Sequence, residues 1–199
     1  MNHVKLHETF PILPGLRVRA VIDTEALVKN YNALMSPVLA VSPDTYAIAV
    51  VKADAYGHGI RPVVGALLGA GCHSFAVACL EEAVALRRLL RDLRSGTTSD
   101  KDNDILVLGY TDPENAPILS AYRIATALIS RDYARRLLDC ARRAKVTVSG
   151  HVALDTGMNR VGFPAHSPEE IAATVHDLAE LYREGVSSAE GGLILDGLF

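Results

Sequence analysis

The sequence has few of the residues that build disulfide frameworks or metal centres. Its 199 residues include no tryptophan, three cysteines and seven histidines. Cys72, Cys79 and Cys140 share no CxxC spacing; His3 and His7 are four residues apart, but no other histidines form an HxH or HxxxH pair. We therefore expect reduced thiols, no disulfide framework and no metal site.

Strong charge and long apolar runs are also missing. The formal net charge is −3, with 49% hydrophobic and 22% charged residues, which does not favour nucleic acid or an anionic membrane as a partner. No apolar run reaches membrane-spanning length. The first eight residues lack the apolar core of a secretory signal, so a cytoplasmic location is expected.

Apolar runs of strand length alternate with helical patterns along the chain. This alternation predicts an α/β fold with a parallel sheet and outer helices, either a barrel or an open doubly wound sheet. Neither a GxGxxG string nor a P-loop is present to favour a nucleotide-binding open sheet. The six runs are Tyr46–Val51, Ser74–Cys79, Ile105–Leu108, Ile124–Ile129, Val148–Leu154 and Gly192–Phe199.

Several helices and loops can be predicted individually. Leu80–Leu93 and Arg131–Lys145 place apolar residues on one face, and Ser167-Pro168 is typical of a helix start. Asp23-Thr24 caps a predicted helix that runs roughly from Glu25 to Met35. Arg17–Asp23 alternates like a strand, and the polar stretch Ser95–Asp104 predicts a surface loop.

Lys52 follows the first apolar run, which predicts a strand buried on both faces. A lysine at the end of a buried strand has its aliphatic stem shielded from water, and desolvation favours the neutral amine that attacks an aldehyde. Tyr56 adds a hydroxyl, and Gly57 and Gly59 let the backbone approach a ligand. This combination suits pyridoxal phosphate, although on chemistry alone a solvated lysine at a strand end is the commoner case.

Two strings in the sequence resemble the signature motifs of the alanine racemase family. Ala49–Gly59, AVVKADAYGHG, is similar to the motif around the family's cofactor lysine. Leu154–Phe163, LDTGMNRVGF, is similar to a second motif about a hundred residues on. The resemblance extends from Val18 to Phe199, which is nearly the whole chain.

The resemblance implies a (β/α)₈ barrel of the TIM type followed by a separate β domain. Six predicted strands account for about six of eight βα units, and a full barrel needs about 250 residues. We therefore expect an N-terminal extension with a strand over residues 1–23 and an incomplete barrel over 24–199. The C-terminal β domain is expected to be absent, and the chain to be the N-terminal part of a longer racemase.

The resemblance also implies roles for three residues. Lys52 is expected to be the catalytic lysine that holds pyridoxal 5′-phosphate as a Schiff base, and Tyr56 to bind the cofactor phosphate. Arg160 is expected to bind the substrate carboxylate and to contact the cofactor ring hydroxyl. From turn chemistry, Asp155 and Gly157 are expected to shape the loop that holds Arg160.

The sequence departs from the family pattern at Ala153. Many members have a lysine at this position, often carbamylated and paired with the arginine. Arg160 therefore lacks that partner and is expected to be held differently, for example by an anion. His58 and His151 are tempting candidates, but a lone histidine near a strand or turn is more often structural, so neither is given a catalytic role.

The mechanism implied by the resemblance uses two bases and a homodimer. Lys52 serves one face of the α-carbon of a small amino-acid substrate, and a tyrosine from the partner subunit's C-terminal domain serves the other. The implied role is the interconversion of L-alanine and D-alanine, a peptidoglycan precursor. Three alternatives remain open at this point: a racemase of another amino acid such as serine, a non-catalytic barrel that carries pyridoxal phosphate, and a folding unit that binds nothing.

Overall fold

The computed structural model describes residues 20–93, 104–185 and 191–199, and its centre is one six-stranded parallel sheet. The strands that begin at Ile48, Ser74, Asp104, Ala125, Thr147 and Gly192 lie side by side in that order, so consecutive βα units are neighbours. All five pairings are parallel, with Ile48 opposite Ser74 and Ser74 opposite Asp104. The chain is thus a partial (β/α)₈ barrel, and each of the six predicted strands belongs to it.

The strands and helices alternate in chain order. The strands are β1 (Ile48–Val50), β2 (Ser74–Val77), β3 (Asp104–Val107), β4 (Ala125–Leu128), β5 (Thr147–Val152), β6 (Leu154–Asp155), β7 (Phe163–Pro164) and β8 (Gly192–Leu198). The helices are α1 (Thr24–Val41), α2 (Lys52–Tyr56), α3 (Ile60–Gly69), α4 (Leu80–Leu93), α5 (Ala116–Ala121), α6 (Arg131–Ala144) and α7 (Pro168–Gly185). The short pair β6 and β7 forms a separate ladder.

Local chemistry explains where the helices begin and end. Ser130 accepts a hydrogen bond from the Tyr133 amide at the start of α6, and Lys145 ends that helix in the left-handed region at φ 55°. Ser167 accepts from the Glu170 amide at 3.2 Å, as expected for a helix that begins with Pro168. The predicted helices Leu80–Leu93 and Arg131–Lys145 are therefore confirmed to within one residue.

The prediction for α1 was too short, and the three helices α2, α3 and α5 were not predicted. Asp23 caps α1 as expected, but the helix continues beyond Met35 to Val41, with Pro37 inside it. The helix thus continues past a proline, although proline removes one backbone donor. The helices α3 and α5 were missed: α3 contains proline and two glycines with little polar patterning, and α5 has only six residues.

The expectation that the first strand is buried on both faces is wrong. The strand comprises Ile48–Val50 only, with Ile48 39% and Val50 41% exposed. β1 is one edge of the sheet and β8 is the other, and on the inner face of the sheet Ile48 and Ile194 of these strands are 39% and 48% exposed. A cavity of about 620 Å³ opens along this inner face, lined among others by Ile48, Ser149, His151, Ile194 and Asp196.

The hydrophobic core lies between the other face of the sheet and the helices. Its largest fully buried side chains include Phe75, Leu86, Ile105, Leu137 and Leu193. In the described ranges no helix combines the length and the apolar character of a membrane span. The predicted loop Ser95–Asp104 lies outside those ranges except for Asp104, which begins β3, and residues 17–19 of the predicted strand Arg17–Asp23 also lie outside them; residues 20–23 are described and are not in a strand. The division at residue 23 stays a prediction.

Candidate functional site

Lys52 lies where β1 ends, at the carboxyl edge of the parallel sheet. The amide of Val51 donates to the Ala76 carbonyl at 2.8 Å, which extends the pairing of β1 with β2 up to the residue before the lysine. Val51 is 2% exposed, whereas Lys52 is partly exposed. The dry surroundings predicted for the lysine stem are therefore only partly present, because the inner face of the sheet is uncovered.

The backbone after Lys52 turns in the left-handed sense. Ala53, Asp54, Ala55 and Tyr56 have φ between 51° and 54°, so the element α2 (Lys52–Tyr56) contains a turn of left-handed helix. Such a conformation costs L-residues about 1–2 kcal/mol each. Strain of this kind persists only where surrounding contacts determine the backbone, and it concentrates at functional sites.

Several hydrogen bonds hold this left-handed turn. Asp54 accepts from the Ile60 amide at 2.7 Å, and its carbonyl accepts from the Gly59 amide at 3.0 Å. The His58 ring nitrogen Nδ1 lies 3.0 Å from the Ala55 carbonyl oxygen and 3.2 Å from that of Tyr56. His58 thus helps to close the turn through its ring nitrogen.

The left-handed turn brings Tyr56 back beside Lys52. The Nζ atom of Lys52 lies 5.9 Å from the centroid of the Tyr56 ring, and Tyr56 is 60% exposed. This distance is within the range of a cation–π contact. Two of the three predicted site residues are therefore neighbours, on a backbone that the turn holds in place.

Arg160 lies in the loop that follows β5, at the same carboxyl edge of the sheet. Asp155 shapes this loop as predicted, because its Oδ1 accepts from the Gly157 amide at 3.0 Å and from the Asn159 amide at 2.9 Å. These two bonds, that from Asn159 first, lower the pKa of the Asp155 carboxyl. The loop therefore favours the ionised form of the Asp155 carboxyl, and it leaves the Arg160 side chain exposed to solvent.

The base of the loop leaves no room for larger side chains. Gly162 has φ 131°, and a Cβ there would lie 2.8 Å from the Asp155 amide nitrogen. Ala153 is 3% exposed, and its carbonyl accepts from the Phe163 amide at 2.7 Å. The site therefore has a small buried residue where many alanine racemases have a lysine, and no side chain at 153 reaches Arg160.

A histidine that the sequence analysis missed links this loop to α7. Nδ1 of His166 lies 2.8 Å from a Glu170 carboxylate oxygen, and Nε2 lies 3.4 Å from Asp155 Oδ1. The hydrogen bond with Glu170 is the main reason that the pKa of His166 is raised. Only the four-residue spacing of His166 and Glu170 on a helix start could have indicated the pair from sequence.

Glu82 is a second residue that the sequence analysis missed. Its Oε1 accepts from the Ala53 amide at 2.8 Å, directly after Lys52, and its Oε2 accepts from the Ala78 amide at 2.8 Å. The sequence marks Glu82 only as an acidic residue in the first turn of α4, where acids are common. Its contact with a residue 29 positions away requires the tertiary fold.

The donors at this edge fit an anionic cofactor that carries an aldehyde. Lys52 offers an amine, Tyr56 a hydroxyl and Arg160 a guanidinium. Across the described ranges, neither the Tyr56 hydroxyl nor the Arg160 guanidinium has a hydrogen-bonded partner, so both can bind a ligand. His151, by contrast, packs against β8, where a Cβ on Gly197 would lie 2.8 Å from its Nδ1. The same ranges contain no cluster of three potential metal ligands.

Residues 22–189 match the family model described as "Alanine racemase, N-terminal domain". Alanine racemase 1 of Clostridium acetobutylicum is 35% identical over 182 residues, which is 92% of this chain and 41% of that protein. Alanine racemase of Lactiplantibacillus plantarum is 41% identical over 164 residues, 81% of this chain and 40% of that protein. A serine/alanine racemase of Enterococcus gallinarum is 39% identical over 122 residues, 61% of this chain and 16% of that protein.

Solved structures of racemases have the same fold. Alanine racemase from E. faecalis superposes with a TM-score of 0.66 at 27% identity, over 89% of this chain and 42% of that one. Histidine racemase from Leuconostoc mesenteroides superposes with a TM-score of 0.64 at 25% identity, over 88% of this chain and 40% of that one. Alanine racemase from Bartonella henselae, solved with covalently bound pyridoxal phosphate, gives 0.61 at 26% identity, over 80% and 42%. The chain thus spans about 40% of the length of the first two relatives.

Proposed function

The chain belongs to the alanine racemase family, and we propose that it forms the cofactor-binding half of a pyridoxal-phosphate-dependent alanine racemase. The observation that carries this proposal is the position of Lys52, immediately before a constrained left-handed turn at the carboxyl edge of the sheet, with its amine 5.9 Å from the Tyr56 ring centroid. In (β/α)₈ barrels this edge holds the catalytic residues.

The three site residues have different roles in this proposal. Lys52 would hold the cofactor at its aldehyde carbon through the amine, with release of water, until the substrate amine displaces it. The freed Lys52 amine would then hold or accept the α-proton on one face of the substrate. Tyr56 donates its hydroxyl to the cofactor phosphate. Arg160 supplies a permanent positive charge for the substrate carboxylate and the ring hydroxyl. Pyridoxal phosphate, when bound, withdraws the electron pair of the α-carbon into its ring.

The rest of the active site is proposed to come from outside this chain. Racemisation needs a second base on the opposite face of the α-carbon, which the family resemblance assigns to a tyrosine of the partner subunit's C-terminal domain. We therefore propose that the whole protein acts as a cytoplasmic homodimer. L-Alanine is favoured as substrate because the two relatives matched over most of this chain are named for alanine.

Racemisation of another amino acid is the second candidate. It is favoured by similarity to a serine/alanine racemase and to a histidine racemase, and by Ala153, which removes the lysine partner of Arg160. The experiment compares L-alanine, L-serine and L-histidine in the whole protein and measures the D-isomer formed. We expect Lys52→Ala to abolish turnover and Lys29→Ala, on α1, to leave it unchanged. Undiminished turnover in Lys52→Ala would exclude the proposed role of this lysine.

A further inference from the structure

We infer that Glu82 is a positioning residue for Lys52, an inference that rests on the proposed function of this lysine. The carboxylate of Glu82 joins the ends of two neighbouring strands: one oxygen accepts from the Ala53 amide and the other from the Ala78 amide, each at 2.8 Å. Hydrogen bonds to an ionised acceptor are about twice as strong as neutral ones.

The contact acts on the peptide bond that leaves Lys52. The Ala53 N–H and the Lys52 carbonyl share one peptide plane, so an acceptor that holds the N–H also fixes the orientation of that plane. The preceding residue is fixed as well, because the Val51 amide donates to the Ala76 carbonyl at 2.8 Å. Lys52 is thereby held on both sides, and Glu82 provides the restraint on the side where the left-handed turn begins.

The other end of the bridge lies in a closely packed part of the sheet edge. Ala78 follows β2, and a Cβ on Gly109 would lie 2.5 Å from the Ala78 carbonyl oxygen, so the backbones after β2 and β3 are in close contact. Glu82 thus ties the left-handed turn to this closely packed part of the sheet. Because four residues of the turn have positive φ, the turn depends on such outside contacts to persist.

A purely local role for Glu82 makes a different prediction. Ala78 lies four residues before Glu82, so this one bond resembles an ordinary side-chain cap at the start of α4. Under that interpretation, loss of the carboxylate would loosen the first turn of α4 and leave Ala53 unaffected. If Glu82 positions Lys52, loss of the carboxylate speeds hydrogen exchange at the Ala53 amide as well as at the Ala78 amide, and it slows the reaction of Lys52 with pyridoxal phosphate.

The test compares Glu82→Ala with Glu81→Ala in the full 199-residue chain. Glu81 is the matched control, because it is an exposed acid in the same helical turn. Without cofactor, we expect the amides of Ala53 and Ala78 to exchange hydrogen about tenfold faster or more in Glu82→Ala and at the wild-type rate in the control. Glu82→Gln, which keeps one acceptor oxygen, should preserve protection at one of the two amides.

The second readout is the reaction of Lys52 itself with pyridoxal phosphate, trapped by borohydride and quantified by peptide mapping. We expect the adduct at Lys52 to form about tenfold more slowly in Glu82→Ala, while adducts at Lys29 and Lys145 form at unchanged rates. Unchanged exchange at Ala53, or an unchanged ratio of Lys52 to Lys145 adduct, would overturn the inference. If wild type forms no adduct at Lys52, the proposed function fails, and the exchange of Ala53 alone decides the positioning role.

Discussion

The imidazole Nδ1 of His166 lies 2.8 Å from the carboxylate of Glu170, and the opposite ring nitrogen lies 3.4 Å from Asp155. This arrangement connects the start of α7 to the loop that presents Arg160. The pKa of His166 is raised, chiefly by its hydrogen bond with Glu170. The pKa of Glu170 is lowered chiefly by the backbone amide of His166, and the pKa of Asp155 chiefly by the amides of Asn159 and Gly157.

The loop around Arg160 is therefore predicted to respond to pH. The stabilisation of the folded loop by His166 is fully present below the ordinary histidine pKa of 6.5, and it is lost as pH rises through the raised pKa of His166 in the folded chain. The stabilisation by Glu170 and Asp155 is present above their ordinary pKa values of 4.5 and 3.8, and it is lost as pH falls through their lowered pKa values in the folded chain. We expect the loop to be best ordered between these limits, from about 4.5 to 6.5.

Amide exchange at Gly157 and Asn159, corrected for the intrinsic effect of pH, measures this order. His166→Gln should remove the alkaline loss of protection. His176→Gln, within α7 and beside Glu180, is the control and should retain it. Identical pH profiles in wild type and His166→Gln would show that this histidine does not hold the loop.

The left-handed turn after Lys52 gives a prediction with an unusual sign. Ala53 is exposed with φ 51°, so glycine at this position relieves strain that alanine has. We expect Ala53→Gly to leave the free energy of unfolding unchanged or to raise it by up to about 1 kcal/mol. Ala173→Gly, at an exposed position inside α7, should lower it by about 0.5–1 kcal/mol. Chemical denaturation measures both, and an equal loss in the two variants would contradict the left-handed conformation.

The isolated 199-residue chain is predicted not to racemise alanine detectably. The proposal assigns it the base on one face only, and loss of a catalytic base typically costs about 10²–10⁴ in rate. The measurement is D-alanine production from L-alanine with added pyridoxal phosphate. Turnover near that of a complete racemase, dependent on Lys52, would show that both bases are present in this chain.

The two open edges of the sheet predict how the isolated chain behaves in solution. β1 and β8 have no neighbour on one side among the described strands, and unpaired edges invite association. Ile194, Leu198 and Phe199 are 48%, 69% and 49% exposed. Each 100 Å² of apolar surface left in water forfeits about 2.5 kcal/mol, against a typical net stability of about 5–15 kcal/mol.

We therefore expect either a self-associated species or a loosely packed monomer. Size-exclusion chromatography with light scattering gives the mass, and hydrogen exchange over Gly192–Leu198 reports the packing of β8. A monodisperse monomer with strongly protected amides in that strand would contradict the prediction.

The sequence allowed the sheet to be predicted better than the site. Apolar runs identified all six strands because a parallel sheet buries its central strands, and caps such as Asp23 and Ser167 identified helix starts. The exposure of Ile48 was missed because it depends on which strands lie beside β1.

The site was predicted in its chemistry but not in its supports. Lys52, Tyr56 and Arg160 came from a motif resemblance, and their roles stay predictions. Glu82 and His166 could not be found in this way, because each acts through a contact that the fold creates between separate βα units or between a loop and a helix. Four consecutive positive φ values at alanine, aspartate and tyrosine positions likewise have no signal in residue type.

Borohydride trapping tests whether Lys52 is the residue that binds pyridoxal phosphate. The chain is mixed with pyridoxal phosphate, reduced with borohydride, digested and mapped by mass spectrometry. We expect a saturable adduct on Lys52 that disappears in Lys52→Ala, with only slow, unsaturable labelling of Lys29 and Lys145. A saturable adduct on another lysine, with Lys52 unmodified, would contradict it.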